Sequence, residues 1–164
     1  MKILFYLSIF LFFSASFVSA TCDTDLTFST NHLQDNGDGT ILDSKTGLVW
    51  KKCLQGFTGT NCISQDLKTT FTWAEALNQT DNTWRLPNAK ELQSIVEEAC
   101  LNPSINIEFF PGTYSTGVWS NSPVLSGTFS GQSLYVAFHE YGNVLPAERT
   151  ETYHVRLVRN APAE

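Results

Sequence analysis

Trp84-Arg85-Leu86-Pro87-Asn88-Ala89-Lys90-Glu91-Leu92, running on through Gln93-Ser94-Ile95-Val96-Glu97-Glu98-Ala99 to Cys100, is the stretch whose reading decides the fold. Asn88 is a helix-capping residue type and Glu91 follows three positions later, the spacing of a capping box. Leu92, Ile95, Val96 and Ala99 then form an apolar stripe at helical spacing, and Asn102-Pro103 ends it. The pattern predicts a helix from Ala89 to about Ala99. Its outward face is Lys90, Glu91, Gln93, Ser94, Glu97 and Glu98, read as solvated. Glu97 and Glu98 point about 100° apart on a helix and cannot flank one bond. Arg85, held between Trp84 and Leu86, is expected to bond loop carbonyls or a carboxylate.

Upstream, Thr72-Trp73-Ala74-Glu75 is a second capping box, which predicts a short helix ending near Asn78. Before it, Asn36-Gly37-Asp38-Gly39 separates two extended segments, Phe28 to Asp35 and Thr40 to Asp43, as in a hairpin. A calcium loop fails on its spacing, because the twelfth position falls on Lys45 where a bidentate Glu is needed. Another turn at Asp43-Ser44-Lys45-Thr46-Gly47 leads into the strand Leu48-Val49-Trp50-Lys51-Lys52. Downstream, Phe109-Phe110-Pro111 reads as an apolar plug, followed by strands at Val118 to Ser120, Ser133 to Phe138 and Tyr153 to Val158. Gly142-Asn143 is a turn, and Pro146 to Thr152 reads as a polar connection. In the last strand Tyr153, Val155 and Leu157 face the core, alternating with His154, Arg156 and Val158. Hairpins, two helices and a β meander in that order make an α+β domain, with two short helices on small antiparallel sheets.

Residues 1–20 have the charged start, apolar middle and small-residue exit of a signal peptide, with cleavage expected after Ala20. No later stretch approaches the length of a transmembrane segment. Cleavage leaves 144 of the 164 residues, suited to a single domain over 21–164. It also removes Lys2, so nine of the ten Lys and Arg face sixteen Asp and Glu, a net charge of −7. Such a chain repels phosphate backbones, which excludes nucleic acid as a partner.

The four cysteines are an even set in an exported chain, which favours two disulfides. Cys53 with Cys62 closes a short turn-rich loop, leaving Cys22 to pair with Cys100. Acylation of Cys22 would strand a thiol, and Ser19-Ala20-Thr21 is no lipobox. A zinc site is disfavoured because Cys53 and Cys62 are too far apart for a knuckle. No metal and no cofactor are expected.

Asp35 to Thr40, Thr46 to Trp50, Thr72 to Leu77, Trp84 to Asn88, Phe109 to Pro111, Val118 to Ser120 and Val155 to Arg159, taken together and in order, resemble one family. It is the exported bacterial domain typified by the C-terminal domain of the Legionella collagen-like adhesin. The resemblance implies a fold similar to C-type lectins and the formylglycine-generating enzyme. It also implies a role at the cell surface, with attachment to glycosaminoglycans in the adhesin itself. This sequence departs from those relatives in lacking the lectins' Glu-Pro-Asn loop and any Lys/Arg cluster beyond Lys51-Lys52.

His32, His139 and His154 stand in no nucleophile motif, which points away from an enzyme and towards a binding module. The ligand face is expected on the loops from Tyr114 to Asn121 and from His139 to Asn143. Tyr114, Trp119, Asn121, His139, Tyr141 and Asn143 there can stack on sugar rings or anchor a protein. The expected partner is a surface glycan or extracellular protein. The alternatives are an enzyme-like relative of the formylglycine-generating fold and a structural envelope protein.

Overall fold

The computed structural model describes residues 21–22, 29–64 and 68–162. The signal peptide and the beginning of the first expected strand, at Phe28, lie outside the described residues. Along the chain come β1 (Thr21–Cys22), a 3-10 turn at Ser29–His32, β2 (Leu33–Asp35), β3 (Thr40–Asp43), β4 (Leu48–Lys51), β5 (Phe57–Thr58) and β6 (Ile63–Ser64). There follow α1 (Trp73–Leu77), α2 (Ala89–Gln93), β7 (Cys100–Leu101), β8 (Gly117–Pro123), β9 (Ser133–Ala137), β10 (Asn143–Ala147) and β11 (Val158–Asn160). The architecture is α+β and mostly strand. One antiparallel sheet has the order β11-β4-β3-β2 and another β10-β9-β8, while β1 pairs with β7 and β5 with β6. Among the described residues no helix is long and apolar enough to cross a membrane.

Both capping boxes are formed. Thr72 accepts from the Glu75 N–H and Asn88 from the Glu91 N–H, and each glutamate accepts from its cap residue's own N–H. The second helix is nevertheless shorter than its stripe. It ends at Gln93, where the Ser94 hydroxyl donates to the Glu91 carbonyl at 2.7 Å and draws on the acceptor that would carry the helix onward. Tight turns continue the path, so Ile95 and Ala99 remain buried. Glu97 departs from the expected solvated face: it is only 6% exposed, because its own N–H donates to the Ser104 carbonyl and draws that turn inward.

β8 divides two apolar clusters, since successive strand residues face opposite ways. Val118 joins Ile41, Trp50, Leu92, Phe110 and Val158 on one side. Trp119 joins Phe71, Leu86, Val155 and Leu157 on the other. The last segment lies between the same two clusters, so the expected one-sided strand is corrected: His154 through Val158 are all buried. β10 also replaces an expected polar connection at its C-terminal half. Pro146 is tolerated there because β10 is an edge strand, pairing among the described residues with β9 alone.

The disulfides are Cys22–Cys100 and Cys53–Cys62, as the spacing indicated. In the chain-entropy account the first, closing 78 residues, contributes about 4.5 kcal/mol, and the second, closing nine, about 2.6 kcal/mol. Two disulfides and the lack of a spanning helix among the described residues are compatible with an exported protein.

Candidate functional site

The side-chain grouping best placed to meet a ligand lies beside β4 and β11, which pair antiparallel with Trp50 opposite Val158. Arg85 exchanges both backbone hydrogen bonds with Val158 at 2.9 Å, which lays Trp84 alongside the same strand. Three separated segments thereby converge on one indole. The Lys51 ammonium lies 4.4 Å and the Arg159 guanidinium carbon 5.2 Å from the Trp84 ring centroid. Among the described residues neither cation donates a hydrogen bond or forms a close ion pair, and Arg159 Nε is buried without a partner. Their electrostatic neighbours are Asp81 for Lys51 and Asp38 for Arg159.

A polar cleft of about 630 Å³ adjoins this indole. Its walls are the β2–β3 turn and the Cys53–Cys62 loop, and Lys51 belongs to its lining. The turn is held by its own side chains, with Asp35 accepting from the Gly37 N–H and Asp38 from the Thr40 N–H. Lys52 reaches across to Asp35 at 2.6 Å, and this contact holds the Asp35 carboxyl below its usual range.

Beneath the cleft lies Arg156, wholly buried. Its guanidinium donates to the carbonyls of Lys51 at 2.8 Å and Lys52 at 2.5 Å and to the Thr113 hydroxyl at 2.6 Å, with its carbon 4.7 Å over Phe110. Each of these acceptors is neutral, and burial pushes the guanidinium down to about 9. The backbone bearing Lys51 and Lys52 is thus fixed from below by an arginine more than a hundred residues later.

The residues expected on the ligand face are spread along the β8-β9-β10 sheet. Trp119 is a correction: it is fully buried, its indole N–H donating to the Phe71 carbonyl at 2.8 Å and its ring meeting Tyr153 edge-on at 4.9 Å. An indole between two packed layers is withheld from any ligand. Tyr114 is half exposed and stacks on His154 at 5.5 Å. His139, Tyr141 and Asn143 are exposed, with His139 3.5 Å from Glu140 and Tyr141 in a left-handed conformation at φ 55°. They sit at the sheet end where Gly117, Ala137 and Asn143 pair, whereas Asn121 is exposed toward the opposite end.

The grouping of Lys51, Trp84 and Arg159 was missed in the sequence because its members come from three distant segments. The Lys51-Lys52 pair was its one local signal.

These features define a disulfide-bonded α+β domain of an acidic chain, with Lys51 and Arg159 meeting at Trp84. Residues 39–159 match the family model of the Lcl C-terminal domain, and the chain belongs to that family. A comparison with curated proteins gave no match.

Proposed function

We propose that this chain is an exported, single-domain binding module that recognises an acidic surface glycan on the Lys51–Trp84–Arg159 platform and the adjoining cleft. The observation that carries the reading is a pair of cations, without a side-chain hydrogen bond among the described residues, over one half-buried indole. An aromatic face supports a sugar ring, and guanidinium and ammonium donors suit carboxylate or sulfate groups. Net acidity, which in the sequence spoke against such ligands, is countered at this indole by Lys51 at the end of β4 and Arg159 in β11. The short capped helices on small antiparallel sheets support kinship with C-type lectin-like folds. A binding rather than catalytic role is supported by the histidines: His154 Nδ1 lies 2.7 Å from the Thr69 carbonyl, and His32 faces Asp43.

The test is binding of the oxidised protein to a panel of acidic and uncharged glycans, with and without chelator. Acidic glycans are expected to bind, and Lys51→Ala with Arg159→Ala to weaken them at least tenfold while the fold melts unchanged. Equal binding of uncharged glycans, or indifference to both substitutions, refutes the proposal. Loss of binding on chelation would call for a metal in the site.

A further inference from the structure

The cations around Trp84 are each faced by a carboxylate that a turn holds in place. Lys52 donates to Asp35 at 2.6 Å, and the Asp35 carboxylate also accepts from the Gly37 N–H. Asp38 accepts from the Thr40 N–H at 3.0 Å and from the Thr40 hydroxyl at 2.5 Å, and Thr40 lies opposite Lys51 in the β3–β4 ladder. Asp81 belongs to the turn that carries the indole: its carboxylate accepts from the Thr83 N–H at 2.6 Å and the Trp84 N–H at 2.7 Å. The bonds from Thr40 and, more weakly, the Arg159 charge hold Asp38 below the usual carboxylate range. The Trp84 and Thr83 N–H groups, and then the Lys51 charge, do the same for Asp81. All three acids are exposed and ionised at neutral pH.

Lys51, Lys52 and Arg159 are thus set against Asp35, Asp38 and Asp81, three charges against three. Arg85, beside the indole, is neutralised by Glu91. The charge left over is that of Arg156, buried beneath Lys51 and Lys52 among neutral acceptors. On a chain of formal charge −6, a site with so little net positive charge attracts one anionic group, where Lys51 and Arg159 offer free donors. Further anions on the same ligand would have to lie against fixed carboxylates, within the distance over which salt leaves charges unscreened. We propose that the platform selects a glycan of low charge density, presenting a single carboxylate of the uronic-acid class flanked by neutral sugars, and that Asp38 and Asp81 reject densely sulfated chains. The planar fork of Arg159 matches a carboxylate, and the two acids supply the repulsive element that specificity requires. This inference rests on the glycan reading of the platform and narrows its ligand.

The test is titration of the oxidised protein with two hexasaccharides of one uronate–hexosamine backbone, unsulfated and fully sulfated, over a range of salt. The unsulfated form is expected to bind at least about fivefold more tightly, with log Kd rising by no more than about one per tenfold increase in salt. Asp38→Asn combined with Asp81→Asn keeps an oxygen for the turn N–H groups. This double variant is expected to shift the preference at least about tenfold toward the sulfated form. Loss of a merely structural role would weaken both forms alike, and melting curves verify the fold. A sulfated form that binds as tightly as the unsulfated one, or a double variant with unchanged preference, overturns the inference. In that case the platform reading still stands, provided that Lys51→Ala with Arg159→Ala weakens binding. Failure of both hexasaccharides to bind overturns that reading and this inference with it.

Discussion

Residues 84–94 and residues 153–160 lie side by side, joined by the reciprocal Arg85–Val158 hydrogen bonds, and each carries an arginine central to its structure. In the first region the short hydrogen bonds are local, with a longer one of 3.4 Å from Arg85 to the Asn160 side chain. Arg85 donates both terminal nitrogens to Glu91, six residues on, at 2.8 and 2.7 Å, and the same carboxylate accepts from the Asn88 N–H. In the second region Arg156 finds its acceptors 43 to 105 residues away, and none is a carboxylate. Neighbouring segments of one fold can thus rest on opposite foundations, one on a short-range ion pair half open to water, the other on a buried cation among neutral dipoles.

The largest expected effect tests that contrast directly. Arg156→Met leaves the Lys51 and Lys52 carbonyls and the Thr113 hydroxyl without their donor inside the protein, at a cost of about 3 kcal/mol. Arg85→Met removes a pair whose side chains are 40% and 20% exposed, and Glu91 keeps its bond from Asn88, so the cost is under about 1 kcal/mol. Denaturant midpoints of the two variants measure the difference. Equal losses would break the contrast. A more stable Arg156→Met would show that relief from burying the charge outweighs the unpaired acceptors.

A smaller effect belongs to the first region alone. Asn88→Ala removes the side chain that accepts from the Glu91 N–H at 2.9 Å, at a cost of about 1 kcal/mol. The Ala89 N–H keeps its bond to the Ser122 hydroxyl, so the loss is not expected to spread to β8. Hydrogen exchange resolves this: faster exchange confined to α2 sharpens the picture of a self-contained helix start, and acceleration along β8 contradicts it.

The same contrast explains what the sequence disclosed. Capping boxes, the Asx-supported hairpin turn and the cysteine pairing depend on residues close in sequence or on simple parity, and these were legible. Arg85 was expected to bond loop carbonyls or a carboxylate, and it takes the carboxylate of Glu91, which is within reach of any chain that turns there. The burial of Arg156 was not legible, because it follows from the last segment lying between two apolar clusters, a matter of distant chain crossing. Glu97 was misplaced for a related reason: the helical period supporting its solvated reading ends at Gln93. The convergence of Lys51 and Arg159 on Trp84 was invisible in net charge, since composition does not say which distant residues meet.

The smallest expected effect separates the two regions by pH. Burial pushes the His154 pKa below 6.5; the hydrogen bond to the Thr69 carbonyl opposes this, and the nearby Arg156 charge adds to it. The unfolded chain takes up a proton near 6.5, while the folded one does so only at lower pH. Acidification below that value therefore favours unfolding, and the contribution is lost as pH falls through the folded pKa. In the first region, burial pushes the Glu91 carboxyl up, but Arg85 and the Asn88 N–H together bring it below 4.5, so its contribution starts to fade only below 4.5. Denaturant midpoints recorded from neutral pH downward should first fall between these two values, and His154→Gln should remove that early decline while Glu91→Gln leaves it in place. An early decline that survives His154→Gln would assign it to another group and detach the last segment from the acid sensitivity argued for it.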